Sequence, residues 1–173
     1  MIDYSAVLTQ GIQAVPASSI KEFFDIINEM PEAISLGLGE PDFVTPEHIR
    51  KAGAASLLEG HTKYTQNPGL PVLRQEIADY LQRRFSLRYA PEDEILVTVG
   101  GSEAIDLAIR CLIGPGDEII VPSPTFVCYG PLATVCGGVV KDVVTEEKNG
   151  FRITAEQIRA AITPRTKLLV LPY

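Results

Sequence analysis

The chain has 173 residues, 46% of them hydrophobic, a formal net charge of −7 and three cysteines. That length and apolar content suit one well-packed core and exclude a disordered, collagenous or disulfide-scaffolded chain. Lysine and arginine are scattered rather than clustered, which leaves no electrostatic footprint for a polyanion, so nucleic acid is not an expected partner.

The apolar runs fall far short of the roughly 20 residues that span a bilayer, and MIDYSAVLTQ is no signal peptide. A cytoplasmic protein with no membrane partner is therefore expected. Cys111, Cys128 and Cys136 form an odd set without C-x-x-C spacing. They are expected to be buried structural thiols, Cys111 above all because its neighbours are apolar, rather than metal or redox ligands.

In chain order, SSIKEFFDIINEM predicts a helix with a capping box, Ser19 with Glu22, ahead of Ile20, Phe23, Phe24, Ile26 and Ile27 at helical spacing, and Pro31 closes it. AISLGLGEPDF predicts a short strand running into a Gly-rich turn. TPEHIRKAGAASLLEG predicts a helix with Thr45 as N-cap, Pro46 at the first helical position and Gly60 at its end. HTKYTQNPGLP is a loop, and VLRQEIADYLQRRF after it puts Leu73, Ile77, Tyr80 and Leu81 on one helical face.

From there a regular alternation begins. EILVTV predicts a strand, SEAIDLAIRCLI a helix, GPGDE a turn, IIVP a strand, and TFVCYGPLATVC a helical stretch strained by Pro131. GGVVKDVV predicts a strand, TAEQIRAAI a helix with a capping box of Thr154 and Gln157, and KLLVLPY a last strand. Strands of nearly continuous Ile, Val and Leu that alternate with helices imply βαβ units and a largely parallel sheet covered on both faces. Ligands of such sheets bind at the carboxyl ends of the strands, which makes the ends at Val99, Val121 and Leu171 the functional edge. The sequence stops on that edge at Tyr173, and a fragment of a longer chain is expected.

Two chemistries compete at VTVGGSEAID, where a strand halts on Gly100 and Gly101 and a helix restarts at Ser102. The pattern lies one residue from the G-x-S-x-G elbow of serine hydrolases, but that triad needs a histidine after the serine. His48 and His61 both precede Ser102, have no metal-ligand spacing, and read as surface or loop residues. The alternative is an anion site: glycines admit close approach to backbone N–H groups, Ser102 adds a hydroxyl, and a helix N-terminus offers unpaired donors and a positive dipole end. Gly-Gly-Ser is equally a good helix start with no ligand. Neither a P-loop nor a full G-x-G-x-x-G occurs, which disfavours a nucleotide. In PSPTF, Phe126 sits at the same sheet edge, either as a ring that stacks on a flat ligand or as plain core.

Five stretches together, GLGEPDF at 37–43, TKYTQNPGLPVLR at 62–74, VTVGGSEAI at 97–105, GPGDEIIVPSPTFVCY at 114–129 and ITPRTKLLVLPY at 162–173, resemble the class I/II aminotransferases, which are fold-type-I enzymes dependent on pyridoxal 5′-phosphate (PLP). The resemblance runs in order over essentially the whole chain and looks strongest toward bacterial aspartate, alanine, aromatic and N-acetyl-diaminopimelate aminotransferases. It implies an α/β fold: an N-terminal arm and helix over 1–33, then the N-terminal part of the PLP-binding large domain, a mostly parallel sheet flanked by helices, over 34–173.

By the same resemblance, Gly100, Gly101 and Ser102 match the loop that holds the cofactor phosphate, and Phe126 matches the aromatic stacked on the pyridine ring. Tyr64 matches the tyrosine that reaches the neighbouring subunit's cofactor phosphate, and Gly39 matches a backbone donor near the substrate carboxylate. The implied partners are an amino acid, a 2-oxo acid and a second copy of the parent protein. No metal is implied. The family's cofactor-bearing lysine is matched by none of Lys21, Lys51, Lys63, Lys141, Lys148 and Lys167, and is expected beyond Tyr173, so no catalytic residue is assigned within the chain. A PLP-dependent lyase on the same fold, the aminotransferase-like half of a transcription regulator, and a serine hydrolase using Ser102 are the rival expectations.

Overall fold

A computed structural model describes residues 4–16, 26, 27, 30, 32, 34, 39 and 41–172. The helix expected over 18–30 lies outside the described residues except for Met30 and for Ile26 and Ile27, which are helical. Most of the strand expected over 33–43 also lies outside them. In chain order the elements are a 3-10 turn at Tyr4–Ala6, α1 (Gln10–Gln13), α2 (Glu47–Leu58), α3 (Pro71–Phe85), α4 (Gly101–Leu112), β1 (Glu118–Ser123), α5 (Tyr129–Val135), β2 (Val139–Val144), a 3-10 turn at Glu147–Asn149, α6 (Ala155–Ala161) and β3 (Thr166–Leu169). They fall into two compact units, Met1–Ala17 with Thr98–Tyr173, and Ser18–Val97.

The first unit holds a three-stranded sheet of order β2-β1-β3. β1 runs parallel to β2, from Glu118 opposite Val139 to Ser123 opposite Val144, and parallel to β3, where the register shifts between Glu118 and Ile119. As the middle strand β1 is covered on both faces, and five of its six residues are buried: Glu118, then the apolar run over 119–122 that a parallel sheet requires. Its neighbours complete the core. Ile109 and Ile113 at the end of α4, Ile119 and Val121 of β1 and Ala133 of α5 are buried together, with Ile105, Leu132, Val140 and Leu168 packed against them. Each fully buried Ile side chain contributes about 1.5–3 kcal/mol relative to exposure.

The spacing of Ile105 and Ile109 explains a misread residue. Helix positions four apart share a face, whereas Cys111 follows Ile109 by two residues, roughly 200° around the axis. Cys111 is therefore exposed, and Cys128 and Cys136 are only half-buried, against the expectation of buried thiols. Burial raises the Cys128 thiol pKa. Pro131 proves unstrained as well: it is the third residue of α5, where the backbone N–H has no intrahelical partner to lose. The capping box of α6 is present in full, the Thr154 hydroxyl accepting from Gln157 N–H and the Gln157 side chain accepting from Thr154 N–H.

The second unit contains α2 and α3. Glu47 opens α2, one residue later than expected, and Gly60 in the left-handed region follows its C-cap. On α3 the buried residues are Arg74 and Ala78. Of the predicted face, Ile77 and Leu81 are half-buried beside them while Leu73 and Tyr80 are exposed, so the inward stripe runs through Arg74, Ile77, Ala78 and Leu81.

EILVTV does not form the expected strand. No ladder includes these residues, and Leu96 and Val99 are exposed. β propensity needs a neighbouring strand to take up the backbone donors and acceptors, and none of the described strands pairs with this segment.

Candidate functional site

The corner at VTVGGSEAID is the first turn of α4. Gly100 is the N-cap with φ 148° and ψ 173°, a conformation that strains any residue with a Cβ, and Gly101 begins the helix. The N–H groups of Gly101, Ser102 and Glu103 have no carbonyl one turn back within the helix, and a glycine N-cap brings no side chain to satisfy them. A Cβ built on Gly100 or Gly101 meets nothing within 4 Å, so the approach to these donors is open. Ser102 is exposed beside them. The corner presents backbone donors, a hydroxyl and the positive end of a 12-residue helix, which is the chemistry of an anion site.

Two side chains hold the corner from outside. Thr98 Oγ1 donates to the Gly100 carbonyl at 2.9 Å, and the Glu103 carboxylate accepts from Val99 N–H at 2.5 Å. Sequence reasoning passed over both. The signal for Glu103 was its place three residues after the N-cap, the position from which an acidic side chain reaches back over a helix start.

Phe126 follows β1 in the same unit. The Ser123–Pro124 peptide is cis, and Phe126 is 52% exposed, its ring meeting Tyr129 edge-on at 6.1 Å between centroids. The exposure removes Phe126 from the core and leaves about half of its surface accessible. Thr125 Oγ1 beside it is buried with no hydrogen-bond partner among the described residues.

Tyr64 and Gly39 belong to the other unit. Tyr64 is fully exposed and lines an open cleft of 590 Å³ with Ser56, His61, Lys63 and Leu70. Gly39 is exposed, within a segment largely outside the described residues. His48 is exposed on α2, and His61 stands 3.3 Å from the Glu59 carboxylate. Among the described residues no group of His, Cys, Asp or Glu could hold a metal ion, and no helix is long and apolar enough to cross a membrane.

The strongest electrostatic feature lies at the opposite end of β1. The buried Glu118 carboxylate accepts from Thr163 Oγ1 at 2.6 Å and from Arg165 Nη2 at 2.8 Å, and Lys141 Nζ is 3.5 Å away. These hydrogen bonds, with Thr163 first, lower its pKa to about 2. Asp117 beside it is lowered too, by Lys167 at 2.8 Å and then by Gly114 N–H. This cluster ties β1 to β2 and to the loop before β3. It sits at the amino end of the strand, away from the edge where ligands bind.

Residues 31–173 match the family described as aminotransferase class I and II. The aspartate/prephenate aminotransferase of Thermus thermophilus is 44% identical over 168 residues, covering 95% of this chain and 43% of that protein. The aspartate aminotransferase of Geobacillus stearothermophilus is 44% identical over 140 residues, covering 81% of this chain and 35% of that protein. Among solved structures, aspartate aminotransferase from Thermus thermophilus with maleate superposes with a TM-score of 0.87 at 39% identity, over 95% of this chain and 44% of that one. The chain spans under half the length of these relatives.

Proposed function

The chain belongs to the class I and II aminotransferases, and from that premise we propose that the whole protein transfers an α-amino group from an amino acid to a 2-oxo acid, with PLP as cofactor. The observation that carries the reading is the first turn of α4, an open anion site on a glycine N-cap in a chain of this family. The residues present fit the cofactor. Gly100, Gly101 and Ser102 would hold its phosphate, the exposed ring of Phe126 would lie on its ring, and Tyr64 would serve the phosphate of a second subunit.

Bound in such a site, PLP supplies an electron sink for the substrate Cα. The chain's own part is binding and orientation. Backbone donors at a helix N-terminus stabilise a dianion without needing a mobile cation, and the aromatic face fixes the tilt of the ring, so the reacting atom is presented in one geometry. Gly39 N–H would donate to the substrate α-carboxylate. Lys51, Lys141, Lys148 and Lys167 are engaged in ion pairs with acidic residues, and we assign the covalent cofactor link to no lysine of this chain.

The same reading includes a homodimer, a cytoplasmic location, an arm over 1–33 and the start of the large domain over 34–173. Its substrates would be aspartate, alanine or aromatic amino acids with an acceptor such as 2-oxoglutarate. The test is to supply the full-length enzyme with PLP, these donors and 2-oxoglutarate. Formation of the matching 2-oxo acid and glutamate is expected; their absence with every donor would remove the proposal, and release of pyruvate, ammonia and the Cβ substituent from an S-substituted cysteine, with no 2-oxo acid acceptor needed, would make the enzyme a lyase.

A further inference from the structure

The loop that carries Tyr64 is fastened by an arginine where a helix would ordinarily bury an apolar residue. Arg74 is 6% exposed on α3, a helix whose other buried residue is Ala78. Its guanidinium donates from Nη1 to the carbonyls of Pro91 at 2.7 Å and Glu92 at 3.0 Å, and from Nη2 to Gln66 Oε1 at 3.2 Å. Nε has no partner among the described residues. Burying a cation is costly, and among the described residues no carboxylate meets it, so its yield is geometric: one planar fork joins the turn after α3 to the loop before it.

Gln66 lies two residues from Tyr64, and the loop beyond it is set by short backbone bonds. Gly69 N–H donates to Gln66 O at 2.9 Å, and Val97 N–H donates to Pro68 O at 3.0 Å. Gly69 has φ 101°, and a Cβ there would come within 2.7 Å of the Val97 side chain. The carboxyl side of Tyr64 is thereby held to α3 by the arginine and to the segment at Val97 by the backbone, while the tyrosine ring itself projects fully exposed.

We propose that Arg74 is a positioning residue for the cofactor site of the neighbouring subunit, acting through Gln66 on the Tyr64 loop. The inference rests on the role given to Tyr64 above. An exposed tyrosine on an unfastened loop would lose conformational entropy on meeting a phosphate; the fork has already fixed the loop, so the bond to the anion forms with less to order.

The test uses full-length apoenzyme titrated with PLP by absorbance, in the wild type, Tyr64→Phe, Gln66→Ala and the double variant, with the thermal midpoint of each recorded. Gln66→Ala removes the arginine's hold on the loop and leaves its bonds to Pro91 and Glu92 in place. The expected result is an affinity for PLP weaker by about three- to tenfold, the equivalent of one lost hydrogen bond, and no further loss when Gln66→Ala is added to Tyr64→Phe; the thermal midpoint should fall equally in Gln66→Ala and the double variant, because each leaves the arginine without its side-chain acceptor. A loss in Tyr64→Phe with none in Gln66→Ala, or fully additive losses, overturns the inference alone. Unaltered affinity in Tyr64→Phe overturns the reading of Tyr64 and the inference with it.

Discussion

Glu103 Oε2 lies 2.5 Å from Val99 N, so the first acidic side chain of α4 turns back over its own helix start. The carboxylate is engaged outside the turn whose free donors face the glycines. Replacing it by alanine removes a cap, and the expected cost is about 1 kcal/mol of stability by urea denaturation. Glu103→Gln, which keeps an acceptor, is expected to lose less.

Gly100→Ala forces a Cβ onto a backbone at φ 148°. About 1–3 kcal/mol of strain is expected, together with a PLP affinity weakened in the full-length enzyme as the turn reshapes. On the proposed role of Ser102, Ser102→Ala keeps the turn and would delete one charge-assisted bond worth about 1.5–3 kcal/mol, or roughly tenfold or more in PLP dissociation constant. A fluorophosphonate should leave Ser102 unlabelled; rapid stoichiometric labelling would revive the serine-nucleophile reading.

Stability should depend on acid through Glu118. Its folded pKa is depressed to about 2 from an ordinary 4.5, so its contribution is complete above about pH 4.5 and drains away as pH falls toward 2. Denaturant titrations of the wild type across that window should show a midpoint that falls with pH. In Glu118→Gln the midpoint should be lower at pH 7 and flatter below pH 4.5; an identical slope in both would refute the assignment.

Ile119→Ala, at a residue with no exposed surface in β1, is expected to cost about 2–5 kcal/mol. Leu58→Ala on the exposed side of α2 should change stability by no more than about 0.5 kcal/mol. Comparable losses in the two would mean that the core is placed wrongly.

The alternation of apolar strands and helices after Gly114 was readable because each element there meets its partners inside the chain: β1, β2 and the α6 capping box follow the pattern, and β3 does as far as Leu169, short of the strand end expected at Leu171. EILVTV was read as a strand from composition alone, yet a strand is defined by a neighbour, and none of the described strands pairs with it. Arg74 and Glu118 were missed for a related reason. A buried charge carries no periodic signal, and its partners, Gln66 and Pro91 for one, Thr163 and Arg165 for the other, lie far off in sequence. At the candidate site, the glycine N-cap and Ser102 were legible from local chain chemistry. The roles of Tyr64 and Gly39 rest on resemblance, since neither residue has a local feature that announces a ligand.

β1 is also a spacer. Its six residues span about 17 Å between the first and last Cα at roughly 3.3 Å per residue, so the carboxylate cluster at Glu118 and the edge at Ser123 stand at opposite ends of one buried strand. The residues that set acid tolerance, Glu118, Arg165 and Lys141, therefore share no side chain with the proposed anion corner and can be varied separately from it.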